Sequence, residues 1–130
     1  TINAGWKRFT GGNGKFELAI KEIFHEMREA GIRLIASTDA GIPNVRHHDL
    51  AVALPVFANF ANLTPIEALR SATSDCAEAI GLGDITGRIA QGFSADLMFV
   101  KGDPLSDLSV LEDPVLVVVK GQEIRVNDGT

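Results

Sequence analysis

The sequence predicts an α/β protein in which a helical front is followed by a tail of short strands. Three observations predict it. Residues 15–30 place Phe16, Ala19, Ile20, Ile23, Phe24 and Met27 at helical spacing, and an apolar run opens at Ile32, two residues later. A helix passed so quickly to a buried strand is an αβ unit, the building block of a layered sheet or a barrel. After Gly83 helical periodicity stops, and short β-like runs alternate with glycine and proline.

Residues 1–14 hold Gly5, Gly11, Gly12 and Gly14 and read as a loop, with Trp6 and Phe9 packing under it or covering a pocket. The helix over 15–30 sets Lys15, Glu17, Lys21, Glu22, Glu26 and Glu29 mostly opposite its apolar stripe, and Gly31 is placed to stop it. His25 lies beside the stripe, where a solvated or capping role fits better than ligation. The run from Ile32 through Leu34 and Ile35 reads as a buried strand, stopped by Gly41 and Pro43. Residues 50–61 are apolar almost all round and read as a buried helix, with Pro55 near its first turn or at a kink. In Thr64-Pro65-Ile66-Glu67 an N-cap Thr, a first-position Pro and a Glu three residues on mark a helix start. That helix runs to about Ile80, with Ala68, Leu69, Ala72, Cys76 and Ala79 or Ile80 inward, so Cys76 reads as a small core residue. Strands are expected at 97–100, 115–119 and 123–126, with a tight turn at Lys120-Gly121-Gln122 and a connecting segment at 105–111. The unbroken apolar run at 115–119 predicts burial on both faces.

The 130 residues suffice for one domain with its own core. A hydrophobic content of 45% with 22% charged residues excludes a disordered chain. The net charge of −5 argues against a nucleic-acid partner, and no apolar run is long enough to span a membrane. The single cysteine allows no internal disulfide and fits a reducing, cytoplasmic compartment. The N-terminus has no signal-peptide pattern.

Chemistry gathers at the end of the predicted strand. Asp39 stands where strand gives way to loop, the end at which α/β sheets and barrels bind ligands. Asp there also serves simply to bond its own turn. The following loop carries Arg46, His47, His48 and Asp49. Histidine can ligate a metal, move a proton or bind an anion. His47 and His48 are adjacent, so at most one should face a pocket, and Asp49 reads as a helix N-cap.

Five segments carry a resemblance. They are Ser37-Thr38-Asp39-Ala40-Gly41, Leu63-Thr64-Pro65-Ile66-Glu67-Ala68-Leu69-Arg70-Ser71-Ala72-Thr73, Gly87-Arg88-Ile89-Ala90-Gln91-Gly92-Phe93-Ser94-Ala95-Asp96-Leu97, Gly102-Asp103-Pro104-Leu105 and Val117-Val118-Val119-Lys120-Gly121. In order and spacing they resemble the C-terminal part of the metal-dependent amidohydrolase superfamily, in its imidazolonepropionase-like and prolidase-like branch. The resemblance implies the last strand and helices of a (β/α)8 TIM barrel over residues 1–83. It implies a β-rich segment of a small composite β-sandwich over 84–130. It further implies a divalent metal, often zinc, at the C-terminal face, with Asp39 contacting the metal and acting as acid and base on the metal-bound water. His47 matches a loop histidine near the substrate, while His48 stands where relatives often carry Gly and Phe93 where they often carry Lys. Arg46 and His47 together would suit a substrate carboxylate.

The family's other ligands have no counterpart. Its members carry a His-X-His pair and further His, often with a carboxylated Lys, whereas the three histidines here are His25, His47 and His48. Asp39 alone cannot close a zinc site, which normally takes three protein ligands. The sequence therefore reads as part of a longer hydrolase of C–N bonds (amide, cyclic amide or dipeptide) acting on a small molecule, and the isolated chain is expected to be inactive. The alternative is a non-catalytic scaffold or oligomerisation module. Unpaired strand edges and uncovered apolar helices predict self-association as a homo-oligomer or association with the missing barrel part, with the helix over 50–61 as the first sticky surface.

Overall fold

The structure, a computed structural model, describes residues 14–41, 43 and 45–124, the side chain of His47 excepted. The expected glycine-rich loop with Trp6 and Phe9 lies outside the described residues. The first helix, α1, spans Gly14–Glu29. It ends as its sequence requires: Gly31 adopts φ +74°, its N–H donates to Arg28 C=O (2.9 Å), and Ile32 N–H donates to Met27 C=O (2.9 Å). This pair of bonds is the glycine-ended stop in which two otherwise orphaned carbonyls are satisfied.

Residues 32–39 correct the sequence reading, for they form no strand and are mostly not buried. Ile32 is 50% and Ile35 38% exposed, and only Ala36 is buried. Periodicity reports which side chains could be covered, but a strand exists only when a neighbour supplies the ladder. Among the described residues, the backbone tie of residues 33–39 is one bond, from Ala36 N–H to Ser71 C=O at 3.0 Å.

Helix α2 spans Leu50–Ala61 and continues through Pro55. Asn62, in the left-handed region at φ 50°, ends it, and Leu63 N–H donates to Ala58 C=O at 2.9 Å. Rather than a sticky surface, α2 is the most covered element. Its Leu54, Ala58, Phe60 and Ala61 are buried, and Phe24 of α1 meets Phe57 edge-to-face at 5.8 Å.

The helix expected to run to Ile80 is two. Helix α3 spans Pro65–Ala72 and α4 spans Ser74–Ala79, with the break at Thr73 (φ −128°, ψ −96°). Both have their start and stop for local reasons. Thr64 and Glu67 form the predicted capping box. At the break the Thr73 hydroxyl donates to Leu69 C=O (2.7 Å), a competing local bond that helix periodicity does not register. Gly87 (φ +90°) lies against the break, and a Cβ there would come within 2.7 Å of the Ala77 methyl and 2.9 Å of Thr73 C=O. Only glycine allows that approach.

The tail is one antiparallel sheet in the order β1 (Leu97–Val100), β2 (Pro114–Val119), β3 (Gln122–Ile124). Leu97 pairs with Val118 and Val119 with Gln122. Lys120 (φ 51°) and Gly121 (φ 77°) form the two-residue turn whose left-handed conformations match strand twist. The expected burial of both faces of β2 does not hold: Val115 is 61% and Val119 44% exposed. Among the described residues the sheet is a single layer, with neither a facing sheet of a sandwich nor the ladder of a barrel.

Helices and tail share one core. Leu54 and Ala58 of α2, Ala68 of α3 and Ala36 cluster with Leu108 and Leu111, which lie on a short 3-10 turn at Leu108–Glu112. That turn is capped by Asp107, whose carboxylate accepts from Ser109 N–H at 2.9 Å. The tail is tied by Asp96, which accepts from Lys120 N–H and the Thr86 hydroxyl, each at 2.8 Å. No helix among the described residues is long and apolar enough to cross a membrane.

Leu54, 2% exposed at the centre of this cluster, is the position where truncation should cost most. Leu54→Ala is expected to destabilise the fold by about 2–5 kcal/mol, read as a lower urea midpoint, whereas Leu18→Ala on the exposed side of α1 should leave it nearly unchanged.

Acid should weaken the same contacts. The backbone N–H and hydroxyl of Thr64 hold the Glu67 carboxyl below its ordinary value, and the guanidinium of Arg28 adds to the effect. The Arg33 and Arg88 guanidinia do the same for Glu78, and the Lys120 N–H, Ser94 and Thr86 for Asp96. Each pKa is lower folded than unfolded, so the unfolded chain binds more protons as pH falls. The stabilisation is complete above the ordinary carboxylate values and is lost as pH drops through the folded ones. Urea midpoints should therefore hold between about pH 7 and pH 5 and fall below that. Glu67→Gln should make the fall shallower, and an unchanged profile would show that this carboxylate does not couple to folding.

Candidate active site

The segment joining residue 36 to helix α2 carries every site residue predicted from sequence. Its first end is fixed by the Ala36–Ser71 bond and by burial of both residues, Ser71 at 2% exposure. Three residues on, Asp39 sits in the left-handed region at φ 54° with its residue exposed. Few residues adopt that conformation, and Asp is among those that tolerate it. Gly41 follows two residues later at φ 111°. Asp39 makes no hydrogen bond or ion pair with any other described residue. The local-turn role open to it in the sequence is thus not the one it plays among them.

The other end is fixed by Arg46 and Asp49. Residues His47–Asp49 form a single 3-10 turn. Asp49 Oδ2 accepts from Arg46 N–H at 2.9 Å, and Asp49 N–H donates back to Arg46 C=O at 3.1 Å. Asp49 Oδ1 accepts from Arg46 Nε at 3.2 Å and lies 3.2 Å from Arg46 Nη2. Asp49 is therefore no simple cap of α2, because its side chain reaches backward. The Arg46 backbone N–H, followed by its guanidinium, holds the Asp49 carboxyl below the usual aspartate range. His48 Nε2 stands 4.0 Å from Asp49 Oδ1, a pairing that is ionic only when the imidazole carries a second proton.

The structure thus brings Arg46, His48 and Asp49 together, and no hydrogen bond or ion pair among the described residues links Asp39 to them. The side chain of His47, predicted to face substrate, lies outside the described residues. Sequence reasoning missed the Arg46–Asp49 clamp, although an acid three residues after an arginine is its signal at the spacing of a single helical turn.

Whether these residues fit a metal can be tested on the donors present. Among the described residues no three His, Cys, Asp or Glu side chains come together as a ligand set. Asp39 offers one carboxylate, and Asp49 has both oxygens engaged by Arg46. The described residues do not by themselves fit a divalent ion. What they do offer is a solvent-facing carboxylate, an arginine held from behind, and a loop anchored at both ends.

The amidohydrolase family pattern matches residues 21–124. The imidazolonepropionase of Cereibacter sphaeroides is 37% identical over 83 residues, which cover 64% of this chain and 21% of that enzyme. A Xaa-Pro dipeptidase solved with methionine in its active site is 30% identical, with a TM-score of 0.71 over 82% of this chain and 25% of that one. A prolidase solved with N-methylphosphonate-L-proline is 27% identical, with a TM-score of 0.67 over 81% of this chain and 26% of that one. The chain spans about a fifth to a quarter of the length of these relatives. The resemblance seen in the five sequence segments is borne out, and the chain belongs to the amidohydrolase family.

Proposed function

We propose that the chain is the C-terminal part of a longer amidohydrolase that hydrolyses a C–N bond in an amide, cyclic amide or dipeptide, with Asp39 as its proton carrier. The observation that carries this reading is the family match across residues 21–124, whose relatives include an imidazolonepropionase and a Xaa-Pro dipeptidase. In the reaction a water oxygen bonds to the carbonyl carbon and the C–N bond breaks. Asp39 takes a proton from the water and returns it to the leaving nitrogen, the work of a carboxylate that can serve as base and then acid. Its exposure and freedom from partners among the described residues suit it to meet substrate. Arg46 and His47 are assigned to the substrate, in line with the carboxylate that every free dipeptide carries. The divalent ion general in the family, zinc in this reading, would need ligands beyond the described residues, to which Asp39 could add one.

Residues 1–83 are assigned to the barrel and 84–130 to the small composite β-domain of that longer protein. Support comes from the exposed apolar side chains of α1 and residues 32–39, among them Leu18, Ile23, Ile32 and Ile35. Such a surface suits association with the rest of a barrel or with another copy of the chain. The same exposure favours a second reading, a non-catalytic scaffold or oligomerisation module.

The decisive experiment is to express the full-length protein that carries this chain and follow hydrolysis of dipeptide and cyclic-amide substrates. Asp39→Asn is expected to lower kcat by about 100-fold or more while leaving the melting temperature unchanged. Activity retained by Asp39→Asn would remove the residue from its role, and a full-length protein that hydrolyses none of these substrates would favour the scaffold.

A further inference from the structure

We propose that Asp49 is a positioning residue: it grips Arg46 by one edge of the guanidinium and leaves the opposite edge to bind the free carboxylate of a dipeptide-like substrate. This rests on the hydrolase reading above and specifies its substrate class.

Asp49 is the buried charged residue among those described, 6% exposed. A buried carboxylate is costly unless donors satisfy it. Its hydrogen bonds among the described residues come from one residue, Arg46, through the backbone N–H and Nε, with Nη2 in ion-pair contact at 3.2 Å. The Arg46 side chain, by contrast, is 67% exposed. It lies at the surface with its Nε/Nη2 edge turned inward to Asp49. Nη1 makes no hydrogen bond or ion pair with any described residue, and the pairing of Nη2 with Asp49 occupies one of its two N–H groups. Nη1 and the other N–H of Nη2 form the second fork of the guanidinium, spaced to bind a carboxylate through two parallel hydrogen bonds.

A free arginine side chain loses much rotamer freedom when it binds. One already held from behind loses less, and binding gains by that difference. Asp49 is itself held, by its N–H bond to Arg46 C=O and by its place at the start of α2, whose Leu54 and Ala58 lie in the core. The clamp thus connects the rigid helix to a cationic edge facing solvent, in the same loop as Asp39. A role confined to closing the 3-10 turn would need the backbone bonds alone and would not require the Nε and Nη2 contacts.

The test uses the full-length protein and two probes, a Xaa-Pro dipeptide and the same dipeptide with its carboxylate amidated. For the unaltered protein, amidation should raise KM about tenfold, the scale of one lost charge-assisted contact. Arg46→Ala should remove that discrimination. Asp49→Ala should raise KM for the free acid severalfold with kcat within about twofold, leave the amidated probe unaffected, and add nothing to Arg46→Ala in the double variant. Should Asp49→Ala fail to fold, Asp49→Asn carries the same test, since it keeps an oxygen for the Arg46 N–H but loses the charge. Equal losses on both probes, additive effects, or no discrimination by an otherwise active unaltered protein would overturn the assignment of Asp49. Absence of hydrolysis of either probe by the unaltered protein would instead count against the hydrolase reading, and with it this substrate class.

Discussion

The guanidinium of Arg28 is the junction on which the helical half depends. It sits at the end of α1, and Nη1 donates to Ala61 C=O at 3.1 Å and to Asn62 C=O, where α2 leaves unsatisfied carbonyls. A cation there also meets the negative end of the helix dipole. Nη2 donates to Glu67 Oε1 at 2.7 Å. The other oxygen of Glu67 accepts from Thr64 N–H and its hydroxyl, each at 2.7 Å, and so closes the start of α3. One side chain therefore joins the end of one helix to the end of a second and the beginning of a third. The pairs are half exposed, so their worth lies less in raw attraction than in geometry. They set the angle at which α2 and α3 converge, and Leu54, Ala58 and Ala68 form the core where they do.

That core then decides where the tail goes. Leu108 and Leu111 insert into the helical cluster from a 3-10 turn, and Val100 packs beside them at the end of β1. The sheet itself contributes little burial, with β3 exposed throughout. Its position follows from the turn and from Asp96, which takes one donor from Thr86 in the linker and another from Lys120 in the hairpin. Glu78 adds a second brace, receiving Arg33 at 2.7 Å and Arg88 at 2.8 Å, so that segment, helix and linker share one carboxylate.

The sequence was most legible where a structure is made by neighbours along the chain. The Gly31 stop, the Thr64–Glu67 capping box and the Lys120-Gly121 turn each depend on a few adjacent residues, and each stands where it was expected. The misreadings share the opposite cause. Residues 32–39 have the composition of a strand, but a ladder needs a partner that periodicity cannot supply. Apolar spacing carries the helix from Pro65 past Thr73, while the hydroxyl of Thr73 and the close approach of Gly87 decide the break. Burial of β2 on both faces was read from composition alone, and covering layers are a property of what packs above. For the site, Asp39 was expected at the end of a buried strand, and it stands instead in a left-handed turn conformation with no strand before it. The commitment of Asp49 to Arg46 was not legible, since an acid at a helix start is ordinarily read as a cap.

The segment between Ala36 and α2 is tied where its described ends meet the helices. Ala36 fixes its entry through a buried backbone bond, and Asp49 fixes its exit by taking every donor Arg46 turns toward it. Asp39 lies between these anchors in a backbone conformation costly for most side chains. Its carboxylate makes no hydrogen bond or ion pair with any described residue. Arg46 differs, with one edge bound and one edge open. There the chain satisfies the part of the group that faces inward and leaves the outward part exposed, whereas Asp39 is marked by its backbone conformation and not by any described partner.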